Sequence, residues 1–271
     1  MIQQPGVMPA KTPQGSDPTH PTPTSPDLFE NESSDAHEAA AVHEADTMMS
    51  EAASDPLSEL KTRYLNAQLA GNRREALRLV RDDGVARGAS IVDLQVQVIQ
   101  AAQREIGRLW QENRISVAQE HMATAISQMA LAQLYDEAQR APSNDKRVLV
   151  ACVQGELHDF PARLVADTLD LAGFEVRYLG ADIPTDNLLD ELATYRPDLL
   201  ALSATMDFNL PALRSAVLAV RKHPAGQLPI VIGGSACAPL QNLAAELGVE
   251  GAGADANAMI ANARRLLGLL P

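Results

Sequence analysis

Five short apolar runs alternate with helical stretches over the second half of the chain, from Lys146 to its end. They read KRVLVACV, FEVRYLG, PDLLALSAT, LPIVIGG and VEGAGA. The most apolar of these runs lack the alternation of polar and apolar residues that marks a half-exposed strand, so they are typical of a parallel sheet covered by helices on both faces. The pattern predicts a doubly wound α/β domain with a five-stranded parallel sheet over residues 146–271.

The preceding residues divide into two regions. Residues 55–141 repeat apolar positions at helical spacing in four segments, which predicts a four-helix bundle, and the segment APSND at 141–145 is a linker. Residues 1–54 are rich in Pro, Ser, Thr, Ala and acidic residues, and they contain too few apolar residues to offset the entropy of ordering. We therefore expect a disordered acidic tail over residues 1–54.

Composition argues against several classes of function. The chain of 271 residues carries a formal net charge of −13, which would repel the phosphates of a nucleic acid. Its two cysteines, Cys152 and Cys237, are too few for a disulfide framework and lack metal-ligand spacing. The first residues do not resemble a signal peptide, and no run of about 18 apolar residues could span a membrane. We expect a cytoplasmic protein that binds neither DNA nor membranes.

The segment GELHDFP places His158 directly after the first apolar strand. Ligands of doubly wound sheets bind beyond the carboxyl ends of the strands, so His158 stands where such a fold has its chemistry, although a histidine there also commonly starts a helix or packs locally. Glu156 can accept a hydrogen bond from one imidazole nitrogen and leave the other free for a metal. Because no second or third ligand lies nearby, the pattern favours a metal that a macrocycle already holds and that needs one axial ligand.

Three separated elements within residues 146–271 resemble the cobalamin-binding domain shared by methionine synthase, corrinoid methyl carriers, some mutases and light-sensing regulators. The first is the Glu-x-His pair, the second is a Ser-x-Thr segment separated from position 161 by 41 residues, and the third is a Gly-Gly pair after 27 more residues. Both intervals fit the family pattern. The residues concerned are Glu156, His158, Ser203, Thr205, Gly233 and Gly234.

The resemblance implies a Rossmann-like domain in which His158 replaces the cofactor's own dimethylbenzimidazole as the lower axial ligand of cobalt. It also implies that the nucleotide tail inserts beside Ser203, Thr205 and the two glycines, where a backbone without side chains can approach the tail closely. Pro161 departs from the pattern, since it stands where the family has glycine. Proline is tolerated in the first turn of a helix, so the loop can enter its helix differently without losing the histidine.

A second resemblance lies in the helical region. The segment from Trp110 to His121 is similar to part of the cap of CarH/LitR-type adenosylcobalamin photoreceptors. Nine residues separate Trp110 from the pair Glu120-His121, and Val117 lies between them. That resemblance implies a tryptophan that shields the upper face of the corrin and its adenosyl group, while Glu120 and His121 make polar contacts with the ribose or adenine. A core tryptophan and a helix-capping glutamate would give the same residues.

Two departures from those photoreceptors limit the comparison. Gln111 stands where some members have a histidine that becomes a second axial ligand after illumination, so a bis-histidine product by that route is not expected. The winged-helix domain that precedes the cap in such regulators has no counterpart in residues 1–54. Direct DNA binding is therefore not expected.

The resemblances lead to two hypotheses from different classes of function. The first is a stand-alone cobalamin sensor, not an enzyme, which detects light through cleavage of the cobalt–carbon bond of adenosylcobalamin and signals through a protein partner or a change of homo-oligomeric state. The sequence does not decide whether a second chromophore, such as a bilin, also binds between the cap and the corrin. The alternative is a methyl-carrier subunit of a corrinoid methyltransferase system, which must expose the upper face of cobalt and does not need the cap.

Overall fold

The structure of the chain is a computed structural model. It describes residues 55–238, 240, 242–253 and 256–269. The acidic tail predicted over residues 1–54 lies outside the described residues. Within the described part of the chain, every helix is too short or too polar to span a lipid bilayer.

Five helical elements precede the sheet among the described residues, and together they are called the helical region below. Asp55 caps the first by accepting the backbone N–H of Leu57, and Ser116 caps the last through reciprocal hydrogen bonds with Gln119. The elements are α1 (Pro56–Leu69), α2 (Arg73–Arg78, continued by a π-helical turn at Leu79–Gly84), α3 (Ile91–Asp93, continued by a π-helical stretch at Leu94–Gln100), α4 (Ala101–Gln111) and α5 (Val117–Glu137).

The two π-helical stretches differ from the continuous α-helices that the sequence predicts. A π-helical turn holds extra residues, and apolar spacing along the chain does not distinguish it from an α-helical turn. The two stretches meet where Gly84 lies against Leu94: a Cβ added to Gly84 would come within 2.6 Å of the Leu94 Cδ2. This close contact between segments belongs to the tertiary structure and leaves no periodic signal in the sequence.

A parallel sheet with helices follows the helical region, as the sequence predicts. The elements are β1 (Arg147–Cys152), α6 (Phe160–Leu171), β2 (Glu175–Tyr178), α7 (Thr185–Tyr195), β3 (Leu199–Ser203), α8 (Leu210–Lys222), β4 (Ile230–Gly233), α9 (Leu243–Leu247), β5 (Gly251–Gly253) and α10 (Ala256–Leu266). The described strands lie in the order β2-β1-β3-β4-β5 and all pair in parallel. The strand order reverses between β1 and β3, which is where doubly wound sheets open a crevice for ligands.

Strand β1 shows why the sheet needs an almost unbroken run of apolar residues. Leu149 and Ala151 are buried in the core on one face of the sheet, whereas Val148, Val150 and Cys152 are buried in the core on the other face. Successive side chains of a strand point to opposite faces, and helices cover both faces here. Every position of the strand interior is therefore apolar.

The sequence pattern also predicts a helix over residues 238–247, but the helix in the structure is shorter and begins later. The chain turns after β4, with Gly234 in the left-handed region and the Cys237 N–H donating to the Gly234 carbonyl at 3.0 Å. Helix α9 begins only at Leu243 and ends at Gly248, whose positive φ of 62° terminates it. The described residues among 238–242 form turn or irregular structure rather than helix.

Helix α5 packs against α6 and connects the helical region to the sheet. Phe160 of α6 is buried in the core of the helical region. The Tyr135 hydroxyl donates to Asp170 Oδ2 at 2.7 Å, and the side-chain amide of Gln128 donates to Asp159 Oδ1 at 3.4 Å. These contacts hold α5 beside the loop that precedes α6.

Candidate functional site

Three strand ends meet at the carboxyl edge of the sheet. Cys152, Ser203 and Gly233 are neighbours in the register across β1, β3 and β4. The loops that follow these residues therefore leave the sheet side by side, and they carry the Glu-x-His, Ser-x-Thr and Gly-Gly elements. Ser203 lies 45 positions after His158 and 30 positions before Gly233, and these separate segments become one surface because parallel strands end at the same edge.

The carboxylate of Glu156 lies at the centre of this edge and is fully buried. Its Oε1 accepts the backbone N–H of His158 at 2.8 Å and the Nδ1–H of the same imidazole at 2.7 Å. Its Oε2 accepts the backbone N–H groups of Thr205 and Met206, at 2.6 and 3.1 Å, and the side-chain amide of Asn209 at 2.8 Å. One carboxylate thus joins the loop after β1 to the loop after β3.

These five hydrogen bonds keep Glu156 ionised, and the contact with Glu156 shifts the pKa of His158. Burial would raise the pKa of the Glu156 carboxyl, but the hydrogen bonds from His158, Asn209 and Thr205 outweigh burial and lower that pKa to about 2. The hydrogen bond to Glu156 in turn raises the pKa of the His158 ring, against the opposing effect of partial burial, and the charge of Glu120 adds to the rise. Glu156 is therefore an anion at neutral pH.

The hydrogen bond to Glu156 also selects the available nitrogen of His158. When Nδ1 donates to the carboxylate, the neutral ring carries its lone pair on Nε2. No hydrogen bond engages Nε2 within the described residues, and the side chain is 46% exposed. The predicted contact between Glu156 and His158 is confirmed, and it leaves Nε2 free to meet a ligand beyond the sheet edge.

Pro161 lies in the first turn of α6, as the sequence suggests. At that position a backbone N–H would have no partner within the helix, so proline removes no helical hydrogen bond. The departure from the family glycine therefore leaves the geometry of the Glu-x-His segment intact.

The Ser-x-Thr and Gly-Gly segments form the neighbouring wall of the edge. Ser203 is buried, and the hydroxyl of Thr205 is buried without a hydrogen-bond partner in the described part of the chain. Gly234 has a φ of +98°, and an added Cβ would lie 2.1 Å from the carbonyl oxygen of Ala204, so only glycine fits there. In this wall, the hydroxyl of Thr205 has no hydrogen-bond partner among the described residues, and the backbone of Gly234 lies directly against that of Ala204.

The predicted cap residues lie at the end of α4 and the start of α5. Trp110 is half-buried, the side chain of Glu120 is 18% exposed, and those of Val117 and His121 project into solvent. The charge of Glu120 contributes to the raised pKa of His158. The hydrogen bond from Gln128 to Asp159, which follows His158 in the chain, holds α5 beside the carboxyl edge of the sheet.

Two further residues of this edge were not indicated by the sequence. Asn209, in a short 3₁₀ helix after β3, is buried and donates to Glu156. Asp182, after β2, accepts the backbone N–H of Gly155 at 2.7 Å and donates its own backbone N–H to the Glu156 carbonyl at 2.9 Å. Both follow strand ends, which is the only signal that could have pointed to them.

Comparison with protein families identifies the domain that carries this edge. Residues 146–261 match a family model described as B12 binding domain, and residues 60–135 match a second model with the same description. The chain therefore contains a cobalamin-binding domain, preceded by a helical segment of the kind associated with B12 binding, and this domain resembles those of CarH-type proteins.

Individual relatives fall into two groups. The HTH-type transcriptional repressor CarA of Myxococcus xanthus is 34% identical over 121 residues, which are 45% of this chain and 41% of that protein. The repressor CarH of the same organism is 27% identical over 147 residues, which are 54% of this chain and 48% of that protein. Dimethylamine corrinoid protein 1 of Methanosarcina acetivorans is 25% identical over 170 residues, which are 62% of this chain and 79% of that protein. The chain spans less than half the length of each repressor.

One solved structure shares the fold over most of the chain. The monomethylamine corrinoid protein of Methanosarcina barkeri aligns with a TM-score of 0.68 and 18% identity, over 78% of this chain and 99% of that one. At this identity the likeness establishes the fold, and the functional conclusion depends on the residues of the edge.

Proposed function

We propose that the chain is a cobalamin sensor, in which residues 146–271 hold the cofactor and residues 55–141 cap its upper face. The observation that carries the proposal is the position of α5: its Gln128 side chain donates to Asp159, next to His158, so the helix that carries Glu120 and His121 lies beside the carboxyl edge of the sheet. A protein that only displayed cobalamin to other enzymes would not need a polar helix terminus there. Bound adenosylcobalamin would supply a cobalt–carbon bond that light cleaves.

The carboxyl edge of the sheet has the features that a lower ligand site requires. His158 would ligate cobalt through Nε2, and Glu156 would hold the Nδ1 proton, orient the ring and make Nε2 more basic. Ser203, Thr205 and the Gly233-Gly234 pair would receive the nucleotide tail. The buried hydroxyl of Thr205 fits that role, because it has no hydrogen-bond partner in the described part of the chain and a bound ligand could supply one.

The helical region would complete the site from above. Trp110 and Val117 would exclude water from the upper face, and Glu120 and His121 would bind the ribose or adenine of an adenosyl group. A methyl ligand offers none of these polar contacts. The proposed cap therefore predicts a preference for adenosylcobalamin, and its signal would leave through a protein partner or a change of homo-oligomeric state.

Binding experiments test this assignment directly. We expect Glu120→Ala and His121→Ala to weaken adenosylcobalamin binding several-fold, about the effect of one hydrogen bond each, and to leave hydroxocobalamin binding unchanged. Glu137→Ala, at the opposite end of α5, is the control and should change neither affinity. Green light should alter the absorption spectrum of the adenosyl form, and absorption bands foreign to cobalamin in protein from the native host would identify a bilin.

The lower ligand has a separate test. Electron paramagnetic resonance of the protein reconstituted with Co(II) cobalamin should show nitrogen coupling that changes when the protein histidines are ¹⁵N-labelled. His158→Ala should abolish this coupling and retain some binding through the tail pocket. Coupling that follows a label in dimethylbenzimidazole instead would show that the cofactor keeps its own base.

A methyl-carrier subunit is the second candidate, because the similarity to dimethylamine corrinoid protein 1 extends over 79% of that protein. A carrier would bind methyl- and adenosylcobalamin equally well. It would also transfer a methyl group between a methylated amine and a thiol when supplied with a partner methyltransferase. Those two results together would replace the sensor by the carrier.

A further inference from the structure

A hydrogen-bonded network of side chains begins at Glu120 and leads away from the site. Glu120 Oε1 accepts the hydroxyl of Thr124 at 2.7 Å, and the same hydroxyl accepts the side-chain amide of Gln103 at 2.5 Å. Gln103 belongs to α4, so the contact joins α4 to α5. Because a hydroxyl has one proton, Thr124 donates to Glu120 alone.

The network continues into α1. Ser127 donates to Gln103 Oε1 at 3.0 Å and accepts the side-chain amide of Gln68 at 2.8 Å. The Tyr64 hydroxyl lies 3.3 Å from the Ser127 hydroxyl. Since the single proton of Ser127 goes to Gln103, Tyr64 is the donor in this last contact. Every donor in the series therefore points from α1 towards the carboxylate of Glu120.

Burial of the polar side chains in this network costs the helical region free energy of folding. Tyr64, Gln68 and Ser127 are fully buried, and burial raises the pKa of Tyr64, which keeps its hydroxyl a donor. The amide oxygen of Gln68 is buried without a hydrogen-bond partner in the described residues. Apolar side chains would fill the same volume without an unpaired polar atom. Stability alone gives no reason for polar residues at these positions.

We propose that this network fixes the side chain of Glu120, so that Thr124, Gln103 and Ser127 are positioning residues and a change at Glu120 reaches α1. The inference rests on the proposed function for the identity of the ligand that Glu120 contacts. The hydrogen bonds themselves do not depend on that ligand. Hydrogen bonds in a buried series polarise one another, so loss of the acceptor at Glu120 weakens the hydrogen bonds that follow it in the series.

The first test uses the whole chain without cobalamin and reads the side-chain amide signals of Gln68 by ¹H–¹⁵N NMR. We expect Glu120→Ala to shift these signals, although the two residues are not in contact. In a Thr124→Val background the same substitution should no longer shift them, and Thr124→Ser should preserve the effect. Thr168→Val, which removes a buried hydroxyl from α6, is the matched control and should leave Gln68 unaffected.

The second test measures affinity. Thr124→Val should weaken adenosylcobalamin binding about fivefold, the effect of one typical hydrogen bond, leave hydroxocobalamin binding unchanged, and add nothing to Glu120→Ala. Additive losses, or equal losses for both cobalamins, would overturn the positioning role.

The two tests separate this inference from the proposed function. If Glu120→Ala leaves the ratio of the two affinities unchanged, the contact between Glu120 and the upper ligand is wrong, and the Gln68 signals alone decide the network. Signals of Gln68 that do not respond to Glu120→Ala, or respond equally without Thr124, would refute the network whatever the affinities show.

Discussion

Replacement of Glu156 by glutamine tests the central interaction of the site. Three donors converge on Oε2, from Thr205, Met206 and Asn209, so the glutamine oxygen should face them and its NH₂ group should face His158. There the amide meets the backbone N–H of His158, which it cannot accept. It also meets Nδ1, which can accept only if the ring proton moves to Nε2. We therefore expect the variant to exchange one histidine tautomer for the other.

The size of the effect follows from the charge of the carboxylate. A pKa lowered from 4.5 to about 2 corresponds to about 3 kcal/mol of stabilisation by the ionised form. Because the pKa of the folded state is the lower one, this stabilisation is complete above about pH 5 and is lost as the pH falls towards 2. Glu156→Gln should thus lower the free energy of unfolding by about 3 kcal/mol at pH 7, with a smaller difference at acid pH.

Urea unfolding followed by circular dichroism measures the stability of the cobalamin-free protein, and ¹⁵N chemical shifts of the imidazole identify the tautomer. Glu191→Gln, which breaks a surface ion pair with Arg177, is the control and should cost less than about 1 kcal/mol. The variant should also bind cobalamin without histidine ligation, since protonated Nε2 has no lone pair. A stability within about 0.5 kcal/mol of the parent, with unchanged histidine shifts, would refute the reasoning.

Three further predictions concern stability. Gly234→Ala should lower the free energy of unfolding by about 3 kcal/mol or more, because the new Cβ would lie 2.1 Å from a backbone oxygen at a φ of +98°. Gly107→Ala, in open space on α4, is the control and should raise that free energy by about 1 kcal/mol. Equal urea midpoints for the two variants would contradict this. Burial raises the pKa of Asp167 to about 6, although Arg163 lies 3.7 Å from its Oδ2 and lowers that pKa. Asp167→Asn should therefore raise the free energy of unfolding by on the order of 1–3 kcal/mol at pH 8, where the buried carboxylate is charged, and change nothing below pH 3.8. A gain independent of pH would count against this reasoning. Pro161→Gly should lower the free energy of unfolding by about 1 kcal/mol, because glycine gives the unfolded chain more conformational freedom than proline does. The affinity for cobalamin should not change, and a gain in affinity would show that the proline strains the loop.

Much of the site could be predicted because its parts are local. The position of His158 after β1 follows from an apolar run that ends in a glycine-containing segment, and Glu156 lies two residues away from it. The intervals to Ser203 and Gly233 reflect one strand–helix–strand unit after another, and such units have narrow length limits. The hydrogen bond between Glu156 and His158 could be anticipated for the same reason, since it closes a loop of two residues.

Other parts could not be predicted, because they depend on contacts between distant segments. Asn209 reaches Glu156 only because β3 lies beside β1 in a particular register. The π-helical stretches, the late start of α9 and the polar network beside Glu120 also arise where separate elements touch. None of these features repeats along the chain, so periodicity does not reveal them.

The sequence by itself determined the class of the fold, the edge of the sheet that carries the candidate site and the residue types found there, because apolar periodicity and strand spacing are properties of neighbouring residues. Only the tertiary structure decided how those residues are paired. Five donors converge on one buried carboxylate, and a series of hydroxyls and amides links α1 to Glu120. A hydrogen bond requires two groups within about 3 Å in the correct orientation, and that condition is set by strand register and helix packing over the whole domain.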